Sequence, residues 1–241
     1  MILIIGTNED DILYFTTKME LEKVDEISGH TKVYLGRYSS QDVAISYTRS
    51  SMMVASLVTG LLIEKYHPYL VINVGSVHSF SPKLHQGDLF LAERIYIGDV
   101  DQTAQGRLKF GQVPDFPLFF HSEDTYLHLI EMFNNRLANK NMMRGTILST
   151  NRFYTSRDDI NVLVAKNFSY ISNLMACDTE TGGVALACHY FEIPLICLKS
   201  VSYEIGESEQ LINYVRMGLA ATPAIGAIVA ALFSELGMAK K

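Results

Sequence analysis

The chain has 241 residues, 48% of them hydrophobic and 19% charged, a balance that suits a folded globular protein and excludes a disordered one. Its formal charge of −6, with no clustered Lys/Arg run, excludes a footprint for phosphate backbones and so excludes nucleic acid as a partner. Three cysteines, Cys177, Cys188 and Cys197, lie in apolar stretches and read as reduced core thiols of a cytoplasmic protein.

Residues 2–5 form an apolar run stopped by Gly6. That predicts a buried strand rather than a signal peptide, because no basic front and no cleavage site accompany it. Asn8 can cap a helix, with Asp11 completing a capping-box pattern, and the helical period then runs over 11–22. Residues 33–37 and 43–47 alternate as strands around a Ser39-Ser40-Gln41-Asp42 turn. A helix is predicted over 52–66, with Pro68 beyond its end. Residues 70–74 make a buried strand ended by Gly75-Ser76, and 89–92 make another, followed by an irregular Gly-, Pro- and Phe-rich stretch over 98–124. A helix over 126–138, a strand over 146–149, a helix over 181–191 and a strand over 195–201 complete the alternation. The C-terminal helix is expected to break at Pro223, with Thr222 as its new cap, and to close at Gly237. Its apolar run over 224–233 is far shorter than the ~20 residues of a membrane span.

Strands alternating with helices predict an α/β fold, a central mostly parallel mixed sheet flanked by helices, in a single domain over 1–241. Ligands of such sheets bind beyond the carboxyl ends of the strands, which directs attention to the loops after Ile5, Val74, Ser149 and Val201. The dinucleotide fingerprint, the phosphate loop and the G-x-S-x-G elbow are all missing, and His and Cys do not fall at metal-ligand spacing. No cofactor and no metal are implied.

Several of these loops carry residues in a familiar order: Ile4-Ile5-Gly6 with Glu9-Asp10-Asp11, then Val71-Ile72-Asn73-Val74-Gly75-Ser76, Gly87-Asp88 and Gly111-Gln112-Val113-Pro114. Asp178-Thr179-Glu180, Cys188-His189-Tyr190-Phe191 and Ile193-Pro194 follow. In order and spacing the chain resembles the bacterial 5′-methylthioadenosine/S-adenosylhomocysteine nucleosidases of the nucleoside phosphorylase superfamily. The resemblance implies a nucleoside phosphorylase-like fold, hydrolysis of the N-glycosidic bond of a purine nucleoside, and a homodimer. It places Glu180 on the ribose hydroxyls and the attacking water. Asp11 stands where a glutamate activates that water. Phe153 stacks on the purine, the backbone at Tyr154 contacts it, and Ser76 and Thr179 line the pocket.

The resemblance breaks at reacting positions. Asp11 is one methylene shorter than the expected glutamate. Lys199 replaces an arginine and lacks its planar fork. Tyr203 stands where an aspartate protonates the purine, and the adjacent Glu204 can serve only if the strand end bulges or turns. Glycine-rich stretches read instead as Arg49-Ser50-Ser51-Met52-Met53 and Ser76-Val77-His78-Ser79, with His78 expected to face solvent. Two alternatives therefore accompany the nucleosidase reading: an impaired pseudoenzyme that binds a nucleoside, and a phosphorylase. Asn73, standing where phosphorolytic relatives are expected to carry an arginine, argues against the second.

Overall fold

A computed structural model describes residues 1–138, 140–208 and 210–238, without the side chains of 138 and 210–221. The chain runs β1 (Ile2–Gly6), α1 (Glu9–Lys18), β2 (Glu20–Ile27), β3 (Thr31–Tyr38), β4 (Gln41–Tyr47), α2 (Met52–Tyr66), β5 (Leu70–Asn73) and β6 (Ser76–Ser79). It continues through β7 (Leu89–Ile97), β8 (Phe120–His121), α3 (Asp124–Phe133), β9 (Met142–Ser149), α4 (Arg157–Asn167), β10 (Leu174–Asp178), α5 (Thr181–Tyr190), β11 (Leu195–Glu204) and α6 (Gln210–Met238).

One mixed sheet holds all the strands in the order β2-β3-β4-β1-β5-β11-β6-β10-β9-β7-β8. Its centre is parallel, from β4 through β1 and β5 to β11. A further pairing of β11 with β7 closes β11, β6, β10, β9 and β7 into a ring of strands. β1 shows why the sheet is covered on both faces. Leu3 and Ile5 join one buried cluster with α2 and α5, while Ile2 and Ile4 join another with α1 and α6. An uninterrupted apolar run is what a strand buried on both sides requires.

The sequence reading needs correction at several elements. Residues 20–22 belong to β2, so α1 ends at Lys18. The reading missed β2 because seven of its eight residues are at least partly exposed, with no alternating apolar face to signal a strand. It also missed β6, β10 and α4, the first two being short, β6 with a serine at each end and β10 ending in Asp178. The C-terminal helix does not break at Pro223, which lies inside α6. Proline removes one helical hydrogen bond there, and the downstream Ile225, Ile228, Val229, Leu232 and Phe233, all buried, anchor the helix across that fault. No helix among the described residues is long and apolar enough to cross a membrane. All three cysteines are unpaired and buried.

The parallel centre sends the carboxyl ends of β1 and β5 to one edge, where the end of β10, which runs antiparallel to β6, and the middle of β11 meet them. Close approach there depends on two glycines. At Gly183 a Cβ would lie 2.1 Å from the Met52 carbonyl oxygen, so only glycine lets α5 pack this tightly on α2. At Gly75, with φ +123°, a Cβ would be strained and would press on the Asp11 carboxyl at 3.0 Å.

Candidate active site

Glu180 is the hub of this edge. It follows β10 as the residue preceding α5 and is 3% exposed. Four protein donors converge on its carboxylate. Thr7 Oγ1 donates to Oε1 at 2.7 Å and Lys199 Nζ to the same oxygen at 3.1 Å. Thr179 donates to Oε2 twice, from its N–H at 3.1 Å and its hydroxyl at 3.0 Å. An ionised carboxylate offers about four lone-pair sites, so the protein itself fills them.

Asp11 sits beside this hub, 6% exposed, at the start of α1. Its Oδ2 accepts the N–H of Thr7 at 2.8 Å and of Asn8 at 2.9 Å. Burial lifts the Asp11 carboxyl from 3.8 to about 6, against those two N–H bonds and the Lys199 charge. Glu180 goes the other way. Burial pushes it up, but Lys199 and the bond from Thr7 outweigh that and hold it below its usual value. Lys199, 0% exposed in the middle of β11, feels the converse: burial alone would lower it, and Glu180 and Asp178 keep it charged. Its Nζ is 3.7 Å from Asp178 Oδ2.

Asp178 lies behind the hub, and burial together with Glu180 raises its carboxyl. It bonds to the hydroxyls of Ser149 and Thr181. Thr181 Oγ1 also lies 2.9 Å from Asn73 Oδ1, and Asn73 Nδ2 donates to the Ile5 carbonyl at 3.0 Å. One threonine hydrogen cannot serve both partners. Whenever Asp178 takes up a proton it can donate to Thr181, which is then free to donate to Asn73. The cluster thus sets one cation, Lys199, against the firm carboxylate of Glu180, with the Asp11 and Asp178 carboxyls both raised by burial.

The pocket wall is aromatic. Phe153, in the loop after β9, is 40% exposed. Tyr203 on β11 is fully buried, and its hydroxyl donates to the Tyr154 carbonyl at 3.3 Å. His78 is not the solvent-facing loop residue expected. It lies in β6, 4% exposed, stacked on Tyr203 at 4.3 Å and edge-on to Phe153 at 4.9 Å. The register of β11 on β6 slips between Val201 and Tyr203, and this bulge sets Tyr203 beside His78. Glu204 turns away, meeting His85 Nδ1 at 3.0 Å, and does not join the Asp11–Glu180 group. Ser76 opens β6 next to Gly75 and is 8% exposed.

The loop before α2 braces the whole edge. Arg49 N–H donates to the Thr7 carbonyl at 2.7 Å and Ser51 N–H to the Thr179 carbonyl at 3.2 Å. Both residues hold glycine-type backbone, Arg49 at φ 75° and Ser51 at φ 116°. Non-glycine residues pay strain in such conformations. The structure therefore gathers Asp11, Thr179, Glu180 and Lys199 directly, with Ser76, Phe153, Tyr154 and Tyr203 around them. Sequence reasoning missed Thr7 and Asp178 as partners. Thr7 stood in a flagged loop without a motif, and Asp178 ended a strand that had not been recognised.

The whole length from residue 1 to residue 234 matches the family model described as the phosphorylase superfamily. The 5′-methylthioadenosine/S-adenosylhomocysteine nucleosidase of Staphylococcus haemolyticus is 34% identical over 84% of this chain and 86% of its own. The chain belongs to this superfamily, with the 5′-methylthioadenosine/S-adenosylhomocysteine nucleosidases. The Hydrogenovibrio crunogenus nucleosidase is 31% identical, covering 88% of this chain and 89% of its own. Among solved structures, the Neisseria meningitidis nucleosidase in complex with methylthio-immucillin-A superposes with a TM-score of 0.88 at 23% identity, over 97% of this chain and 98% of that one.

Proposed function

We propose that this chain hydrolyses the N-glycosidic bond of an adenine nucleoside such as 5′-methylthioadenosine or S-adenosylhomocysteine. The observation that carries the reading is the buried Asp11–Glu180–Lys199 cluster just beyond β1 and β10 and against the middle of β11, with the aromatic group of His78, Phe153 and Tyr203 nearby. Asp11, lifted to about 6, is ionised at neutral pH yet basic enough to take a proton from water. The water oxygen bonds to the anomeric carbon, and the electron pair of the breaking C–N bond leaves with the purine. Glu180 stays ionised and stabilises the positive charge that develops on the sugar. To accept a sugar hydroxyl it must release Thr7 or Thr179, whose hydroxyls hold the places of the diol. The departing purine draws its proton from solvent, because the Tyr203 hydroxyl is committed to a backbone carbonyl. Turnover is therefore slow. Ser76, Tyr154 and Thr179 line the substrate, and no cofactor takes part.

Water rather than phosphate is the nucleophile in this reading. Asn73 is tied to Ile5 and Thr181 and offers no positive charge for an anion. The test is chromatography of free base from several purine nucleosides, with and without phosphate. Free adenine at an unchanged rate and no sugar 1-phosphate is expected; a sugar phosphate would move the chain to phosphorolysis.

We also propose a cytoplasmic homodimer. In the Phe-rich stretch Phe110 packs on Phe168, Phe119 on Tyr96, and Phe120 is buried. An exposed apolar face lies on α2, where Met53, Leu57 and Leu61 recur at four-residue steps with Val54 beside them. Next to α5, the exposed Tyr190 borders a groove of about 890 Å³ that Phe116 and Ile193 also line. Contiguous apolar surface of this kind marks an interface. Sedimentation as a monomer at micromolar concentration would refute the dimer.

A further inference from the structure

The His78 ring fills a position with a consequence for binding. Its neighbours fix both its place and its tautomer. Ser202 Oγ donates its one hydrogen to the Val77 carbonyl at 3.1 Å, and His78 Nδ1 lies 3.3 Å from the same oxygen. That oxygen must accept, so Nδ1 carries the hydrogen and Nε2 the lone pair. The ring is neutral: burial depresses it to about 4, with Glu180 opposing and Lys199 assisting. One face of the imidazole lies on Tyr203 with an interplanar angle of 20°. Phe153 meets it at 68°.

Aromatic pairs favour centroid separations of about 4.5–7 Å. His78 already takes the near end of that range against Phe153, at 4.9 Å. A third ring between them would need the two walls to stand about 7 Å apart, one stacking distance on each side. A purine placed between Phe153 and Tyr203 and the His78 ring therefore compete for the same space. Phe153 is the half-exposed member of the trio, so a purine arrives from its side and meets the buried His78 ring beyond it.

We propose that His78 is a gate that determines base affinity: its imidazole occupies the purine half of the pocket and must swing off Tyr203 before an adenine ring can stack on Phe153. The proposal rests on the nucleosidase reading, which makes Phe153 the base-stacking residue. Swinging out forfeits one ring stack and one hydrogen bond. Together these cost about tenfold to a hundredfold in affinity. The gate accordingly raises KM for purine nucleosides more than it lowers kcat.

The experiment is an NMR titration of free adenine into wild-type protein carrying isotopically labelled histidine. His78 is assigned through its contacts with the Tyr203 ring, and affinity is measured by calorimetry for wild type and His78→Ala. Before adenine, the His78 signals should remain those of a neutral Nδ1–H ring at pH 5.5. Saturating adenine should shift them to a ring titrating near ~6.5, the free-imidazole value. His78→Ala should bind adenine about tenfold to a hundredfold more tightly, with KM for 5′-methylthioadenosine falling in step. Adenine binding to wild type with the His78 signals unmoved would overturn the gate while leaving the nucleosidase reading intact. Equal or weaker binding by a folded His78→Ala would do the same. Adenine binding to neither protein would overturn the nucleosidase reading and the gate with it. Should His78→Ala fail to fold, the wild-type titration decides alone.

Discussion

Replacing Asp11 by Asn should make the protein more stable at neutral pH while stopping base release. The magnitude follows from the carboxyl's position. Burial raises Asp11 from 3.8 to about 6, a difference worth about 3 kcal/mol between the two protonation states. The native state thus binds this proton more tightly than the unfolded chain does. Its contribution to stability is full below about 3.8 and is lost as pH rises through about 6. At pH 7.5 the fold carries a buried charge it would be better without. Asparagine can place its Oδ1 where Asp11 Oδ2 accepts from Thr7 and Asn8, so both N–H bonds survive. Burying the new amide NH₂ returns about 1 kcal/mol of the gain. Urea denaturation of both proteins should show Asp11→Asn more stable by about 1–3 kcal/mol at pH 7.5. By pH 4 the advantage should shrink towards zero, since other groups cancel in the difference. An Asn variant no more stable at pH 7.5, or equally favoured at both pH values, would refute the reasoning. So would undiminished base release by the variant.

Three further substitutions probe the same edge. Glu180→Gln should abolish turnover, and it should also destabilise the fold by about 3–5 kcal/mol, because the fully buried Lys199 keeps only Asp178 at 3.7 Å; an unchanged urea midpoint would contradict this. Tyr203→Asp should speed cleavage of 5′-methylthioadenosine by less than the ~10²–10⁴ of a well-placed acid. It should cost about 3–5 kcal/mol for the lost buried ring, and base release at saturating substrate, with a thermal melt, tests both parts. Ser51→Gly should raise stability by about 1 kcal/mol by releasing the φ 116° strain, and a lowered melting temperature would show that the Ser51 hydroxyl bond to Asn151 outweighs it.

The parallel centre was legible because its strands are buried on both faces and therefore read as plain apolar runs, as at 2–5 and 70–74. β2 and β6 escaped for opposite reasons: β2 is mostly exposed, and β6 is four residues long with polar ends. At the site, Glu180 and Asp11 were legible through the order of surrounding motifs. Their chemistry was not, because it depends on contacts distant in sequence. Thr7 reaches Glu180 across 173 positions, and Lys199 reaches it from another strand. His78 was misjudged because a histidine after a glycine turn gives no sign that a bulge on β11 will carry a tyrosine ring against it. Likewise, nothing in Arg49 or Ser51 announces a backbone conformation that glycine would normally fill.

The threonine contacts make a last, sharper expectation about the sugar. A buried site built to bond a substrate hydroxyl ordinarily rejects an analogue lacking it by about 10⁴, because a desolvated protein group is left without a partner. Here no such group is left. When the sugar hydroxyl is missing, Thr7 or Thr179 simply keeps its bond to Glu180 at 2.7 or 3.0 Å. Binding a ribose hydroxyl exchanges one neutral donor for another on the same carboxylate, so the net gain is small. Adenosine, 2′-deoxyadenosine and 3′-deoxyadenosine should therefore bind within about tenfold of one another. Thr7→Val combined with Thr179→Val removes the substitute hydroxyls, leaves Glu180 with Lys199 and the backbone N–H of residue 179, and should widen that spread to a hundredfold or more. Calorimetry on the three nucleosides with both proteins measures it. A wild-type preference for adenosine above a hundredfold would mean that the threonine hydroxyls do not stand in for the diol.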